Sequence, residues 1–158
     1  MKLILSRSLL AASLMLLPVN GQTTVSSLPS TGIVLNVNAD QDVTINPDGM
    51  STSGTISHGG ILNGTTTDVF MSSPVPVANT DTLALTDTLT ITANHGTLTC
   101  NDVTLFNPTQ GVFTTISTIN SGSGIFKGAS GTLFVSGTSA DGVHYQDKIT
   151  GQVTIFLR

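Results

Sequence analysis

Residues 82–93 sort their side chains into two rows. On an extended chain Leu83, Leu85, Leu89, Ile91 and Ala93 point to one side, and Thr82, Thr86, Thr88, Thr90 and Thr92 to the other. Period two, with apolar groups on one face and hydroxyls on the other, describes an antiparallel strand with one face buried and one in water. The residues that would favour helix are scarce. The chain has no glutamate, and its acidic side chains are nine aspartates. Lysine is nearly absent after Lys2, and Thr, Ser, Gly, Val and Ile take the places that helix formers would hold. The chain is therefore expected to be all-β.

The same pattern continues on both sides of this segment. Strands are predicted over 31–38 with an extension at 43–46, then over 52–57, 61–71, 82–93, 97–106, 112–120, 125–137 and 143–157. Asn46-Pro47-Asp48-Gly49, His58-Gly59-Gly60, Asn94-His95-Gly96 and Asn107-Pro108-Thr109-Gln110-Gly111 are the turns between them. Pro74 and Pro76 mark 72–79 as a loop or an edge. About eight strands with short connections suit a closed antiparallel barrel or a sandwich. Closure is favoured because it removes exposed sheet edges. No fixed-period repeat points to a solenoid or propeller.

The N-terminus reads as a secretory signal peptide. Lys2 and Arg7 precede an apolar run from Leu9 to Leu17, Pro18 ends the run, and Val19 and Gly21 supply small residues for cleavage. The run is shorter than the roughly 20 residues that a bilayer span needs. Gln22 follows Gly21, so the cysteine of a lipoprotein is missing. The expected organisation is a signal peptide at 1–21, a Ser/Thr-rich flexible leader at 22–30 and one β-barrel domain at 31–158, exported to the periplasm or the exterior. After cleavage three cations (Lys127, Lys148 and Arg158) face nine aspartates, a net charge of −6. That balance disfavours nucleic acid and anionic membrane surfaces as partners. With no Trp and a single Tyr, the chain also lacks the aromatic girdles of an outer-membrane barrel.

Candidate chemistries are few. Asn36, Asn38, Asp40 and Asp42 alternate like oxygen ligands for calcium, but the central glycine and terminal glutamate of the calcium loop are missing, so a solvated strand face is expected. His58, His95 and His144 are scattered singly in or beside turns, without metal-ligand spacing. No G-x-S-x-G elbow occurs for a serine hydrolase. Asn63-Gly64-Thr65 is a glycosylation sequon, relevant in a eukaryotic source. Cys100 is the only cysteine, which rules out an intramolecular disulfide. Its replacement by serine is expected to be nearly neutral. No catalytic, cofactor-binding or metal-binding residue is singled out.

The densest motif is 119–131. Ile119 and Asn120 lead into Ser121-Gly122-Ser123, followed by Gly124-Ile125-Phe126-Lys127-Gly128-Ala129-Ser130-Gly131. Its glycine spacing has a superficial likeness to a phosphate loop, yet both flanks read as strands, and a phosphate loop must open a helix. Gly124, Gly128 and Gly131 are expected in a hairpin and the strand leaving it, close to neighbouring strands, with Phe126 buried. The motif resembles the signature of allene oxide cyclases and their dirigent-like relatives. Gly96-Thr97-Leu98 upstream and Thr150-Gly151 downstream also fall where those proteins place similar elements, so the likeness spans the last third to half of the chain. The resemblance implies an eight-stranded antiparallel barrel with a largely apolar interior, in an exported bacterial-type member. The plant cyclases fold a fatty-acid epoxide with the help of a glutamate and a water, and this chain has no glutamate to match.

The function expected is therefore binding of a small apolar ligand inside an exported barrel, without a cofactor or a recognisable catalytic constellation. A cyclase or isomerase acting on a reactive lipid-derived or phenolic substrate by positioning is the alternative, and a filled-core interaction module is another. The partner expected is the small ligand, with homo-oligomerisation as a further expectation; nucleic acid and stable membrane insertion are not expected.

Overall fold

Each alternating run becomes a strand, and each strand finds its neighbour through a short turn. A computed structural model describes residues 31–156. The expected signal peptide and leader lie outside the described residues. The strands are β1 Gly32–Ile45, β2 Ser51–Ser57, β3 Gly64–Phe70, β4 Val75–Pro76, β5 Leu83–Ala93, β6 Gly96–Asn107, β7 Val112–Gly122, β8 Ser130–Thr138 and β9 His144–Phe156. All pair antiparallel, in the order β3-β2-β1-β9-β8-β7-β6-β5-β4. β3 then pairs with β5 from Phe70↔Asp87 to Gly64↔Ala93, which closes eight strands into a barrel. β4 is a two-residue patch beside Leu83 and Ala84 that prolongs the β3 position along β5. The prolines around it deprive the ladder of donors, so the wall there is a loop rather than a full strand.

Several boundaries differ from the sequence expectation. The runs 31–38 and 43–46 are one continuous strand, because Asn38 to Asp42 pair with β9 without interruption. Strand 61–71 begins later, since Gly60–Leu62 forms a 3-10 turn capped by Asn63, whose Oδ1 accepts the Gly59 N–H at 2.7 Å. The strand expected over 125–137 also begins later. Gly124–Phe126 is a 3-10 turn, and β8 starts at Ser130.

That second turn is the lid of one barrel end. The Ile125 N–H donates to the His95 carbonyl at 3.0 Å, and the Thr97 N–H donates to Ser123 Oγ at 3.0 Å, which pins the segment onto the β5–β6 hairpin. Gly124 has a φ of +58°, and a side chain there would run into the His95 carbonyl oxygen. Phe126 drops from this lid into the barrel and is fully buried among Leu62, Ile91, Leu98, Leu133 and Val153. The expected burial of Phe126 holds. Gly128 does not approach a neighbouring strand: space around it is open, and only its φ of +77° requires glycine.

Cys100 lies inside this core with no exposed surface, and burial pushes its thiol up to about 12. The expectation that it is dispensable is thereby revised. On the outer wall Asn36, Asn38, Asp40 and Asp42 lie on the solvated side of β1, with Asp40 bonded to Lys148 Nζ at 2.7 Å and 3.1 Å from His58 Nδ1. Across β6, β7 and β8 that outer wall carries Val103, Ile116 and Phe134 in direct register, each about half exposed.

Candidate functional site

The other end of the barrel is open. Its interior holds a cavity of about 200 Å³. The β1–β2, β3–β5, β6–β7 and β8–β9 connections surround its mouth. Phe70, Leu83, Phe106, Phe113 and Tyr145 line it there, with Pro74 from the loop that replaces a full strand. Tyr145 packs edge-to-face against both neighbours, its ring 6.3 Å from Phe106 and 5.5 Å from Phe113. Such pairs hold an aromatic wall in place with little rotamer freedom.

Deeper in, the lining turns polar. Asp68 of β3, Asp87 of β5 and Asp102 of β6 all line the cavity. Register explains why they meet. Asp87 and Asp102 are direct cross-strand partners, and Asp68 sits opposite Leu89, two residues along β5 from Asp87. A side chain two positions away points to the same face, so the three carboxyls share one patch of the inner wall.

Hydroxyl groups partly satisfy them. Ser117 Oγ donates to Asp102 Oδ2 at 2.8 Å, and Thr104 Oγ1 donates to Asp87 at 3.1 Å. Thr115 lies 2.7 Å from Thr104 and completes the relay. Gln41, across the barrel, donates instead to Thr66 Oγ1 at 2.8 Å. Asp68 Oδ1 and Asp102 Oδ1 meet no donor.

Burial therefore dominates their electrostatics. Desolvation, with a smaller push from the Asp87 charge, raises Asp102 to about 7 despite the Ser117 bond. Burial also raises Asp68 and Asp87, and the two are within hydrogen-bonding reach of each other. The pair thus retains a proton between its two carboxyls above the usual carboxylate range. Asp147 of β9 is a fourth buried carboxyl, raised to about 7 by burial and by Asp42, and it packs against Gly137. No cation answers them among the described residues: Lys148 is engaged on the outer wall by Asp40, and Lys127 is exposed.

These residues were not singled out in the sequence. The signal for Asp87 was present, because it occupies the inward row of 82–93 between Leu85 and Leu89. The largely apolar interior that the family resemblance implies holds only for the closed half. The histidines stay on the surface: His144 lies 2.7 Å from Asp141 in an open-end turn, and His95 sits in the β5–β6 turn. The glycine motif at 122–131 serves the lid and is not part of the cavity lining.

The site thus defines a class: a closed β-barrel with one plugged end and one open end whose floor is acidic. No protein-family model matches the chain, and no curated protein matches it. Among solved structures it is similar to a pterocarpan synthase dirigent protein, with 13% identity over 85% of this chain and 99% of that one and a TM-score of 0.36. At that level no residue's role is transferred, and the fold rests on the strand pairings themselves.

Proposed function

We propose that the protein is an exported binding barrel that takes a small, mostly apolar molecule into its open end, with the ligand's polar group reaching the carboxyl floor. One observation carries this reading. In half of the barrel the space that a core would fill is a cavity walled by apolar and aromatic side chains, with a few convergent polar groups at its base. Buried carboxyls are costly, and a chain that needed only stability would place apolar groups there. The volume is below the ~300–1,000 Å³ usual for drug-sized ligands, which favours a single ring or a short chain.

Uptake of small aromatic probes, followed by calorimetry or ligand-observed NMR, tests the reading. Leu83→Trp should narrow the mouth and abolish uptake while leaving the melting temperature nearly unchanged. Uptake that persists in this variant, or no uptake by the unaltered protein, would overturn it. The export part has its own test: the mature chain should begin at or near Gln22 in the exported fraction.

A second reading draws on the proton that the Asp68–Asp87 pair retains. A neutral carboxyl at the base of the cavity can lend a proton to the oxygen of a bound epoxide or phenolic intermediate and take one back once the ring has closed. Under this reading Asp68→Asn keeps binding and loses turnover. Equal loss of both would leave only the binding reading.

A further inference from the structure

We propose that the polar group of the ligand is a protonated amine, seated among Asp68, Asp87 and Asp102 with its apolar body in the cavity above. The proposal rests on the binding reading and narrows it to a cationic ligand class.

Hydrogen-bond accounting supports it. The hydroxyl donors beside Asp87 and Asp102 are already committed. Ser117 gives its proton to Asp102, Thr104 gives its proton to Asp87, Thr115 serves Thr104, and on the far wall one of the two Gln41 N–H groups serves Thr66. What remains is acceptor capacity. Asp102 is only 3% exposed, and its Oδ1 has no partner; Asp68 Oδ1 has none either. An ammonium group carries three donors and no acceptor, so it fits carboxyl oxygens that are buried without a partner. A neutral carbonyl or ether would add one more acceptor. A carboxylate would add another negative charge.

Charge accounting agrees. The other titratable groups nearby are Cys100 beside Asp102 on β6 and Tyr145 in the cavity wall on β9, with Asp147 of β9 buried against Gly137 outside the lining. A neutral thiol, a neutral phenol and a further carboxyl supply no positive charge. Without ligand the carboxyls answer burial by holding protons. An amine replaces those protons with its own charge, so they leave to solvent as it binds. The aromatic rings at the mouth offer a flat apolar wall for the ligand's body.

The test uses isothermal calorimetry on the full chain with three probes of one shape: 2-phenylethylamine, 2-phenylethanol and 3-phenylpropanoate. At about pH 8 the amine should bind roughly tenfold or more tighter than the alcohol, the difference expected for a hydrogen bond to a charged group. The propanoate should show no measurable heat. Titrations in two buffers of different ionisation heat should show protons released with the amine and none with the alcohol. Amine affinity should fall as the pH is lowered toward about 5, where the carboxyls hold their protons. Asp102→Asn should cost the amine roughly tenfold and leave the alcohol within about twofold. Asp87→Asn provides the same contrast if the first variant does not fold. An alcohol that matches or exceeds the amine, or folded Asn variants that keep the amine's affinity, would overturn the cationic assignment and leave the cavity reading standing. If none of the three probes binds, both readings fall.

Discussion

The two ends of this barrel are built from the same strands and solve opposite problems. At the closed end Phe126, Leu98, Ile91, Leu133 and Val153 fill the interior, and the 3-10 turn at Gly124–Phe126 is hydrogen-bonded across it. At the open end the inward positions hold Asp68, Asp87, Asp102, Thr104 and Thr115 around a cavity. Close packing makes one end the source of stability. At the other end, buried carboxyls without cations offset part of that stability. The contrast separates folding from function along a single molecule, and four predictions test it.

The largest effect is expected at the lid. Phe126→Ala should cost roughly 3–5 kcal/mol in chemical denaturation, as emptying a buried aromatic site does. Phe106→Ala at the half-exposed mouth should cost clearly less, and equal losses would mean that the two ends are equally packed. Next come the glycines of the lid. Gly128→Val should cost about 1–3 kcal/mol through its left-handed backbone alone. Gly124→Val should cost more, because the new side chain also meets the His95 carbonyl. A melting series that ranks them the other way would show that the lid is held differently.

Cys100→Ser is expected to lose about 1–3 kcal/mol, since a hydroxyl would replace a thiol in a fully buried apolar setting. Unchanged stability would mean that the hydroxyl finds a partner. The smallest effect concerns pH. Asp102 titrates at 3.8 when unfolded and at about 7 when folded, so the folded state binds the extra proton between those values. Its contribution is fully present below the unfolded value and fades as pH rises through about 7. Asp147, also raised to about 7, and the raised pair of Asp68 and Asp87 act in the same direction. The ligand-free protein should therefore melt at a lower temperature as pH rises from about 4 to about 8. Asp102→Asn should flatten that slope and raise the melting temperature at the alkaline end. A slope of the opposite sign would show that a cation neutralises the floor.

Much of the fold was legible along the chain because strand formation is a local matter. Alternation at 82–93, turns such as Asn46-Pro47-Asp48-Gly49 and the absence of glutamate each act over a few residues, and together they require an antiparallel all-β chain. The burial of Phe126 was also legible, since a lone aromatic among glycines needs a space to fill. The acidic floor was not. Asp68 lies in Gly64–Phe70, where threonines hide which face is inward, and Asp102 lies in Gly96–Asn107, where Val103 and Leu105 face outward and rival the inward row. Only the ladder register across β3, β5 and β6 decides that these carboxyls point inward and meet. A slip of one residue would turn every one of them to solvent. Local sequence determined that the chain pleats and turns; the closure of β3 onto β5 decided which aspartates lost their water, because burial is a property of the assembled wall and not of any one strand.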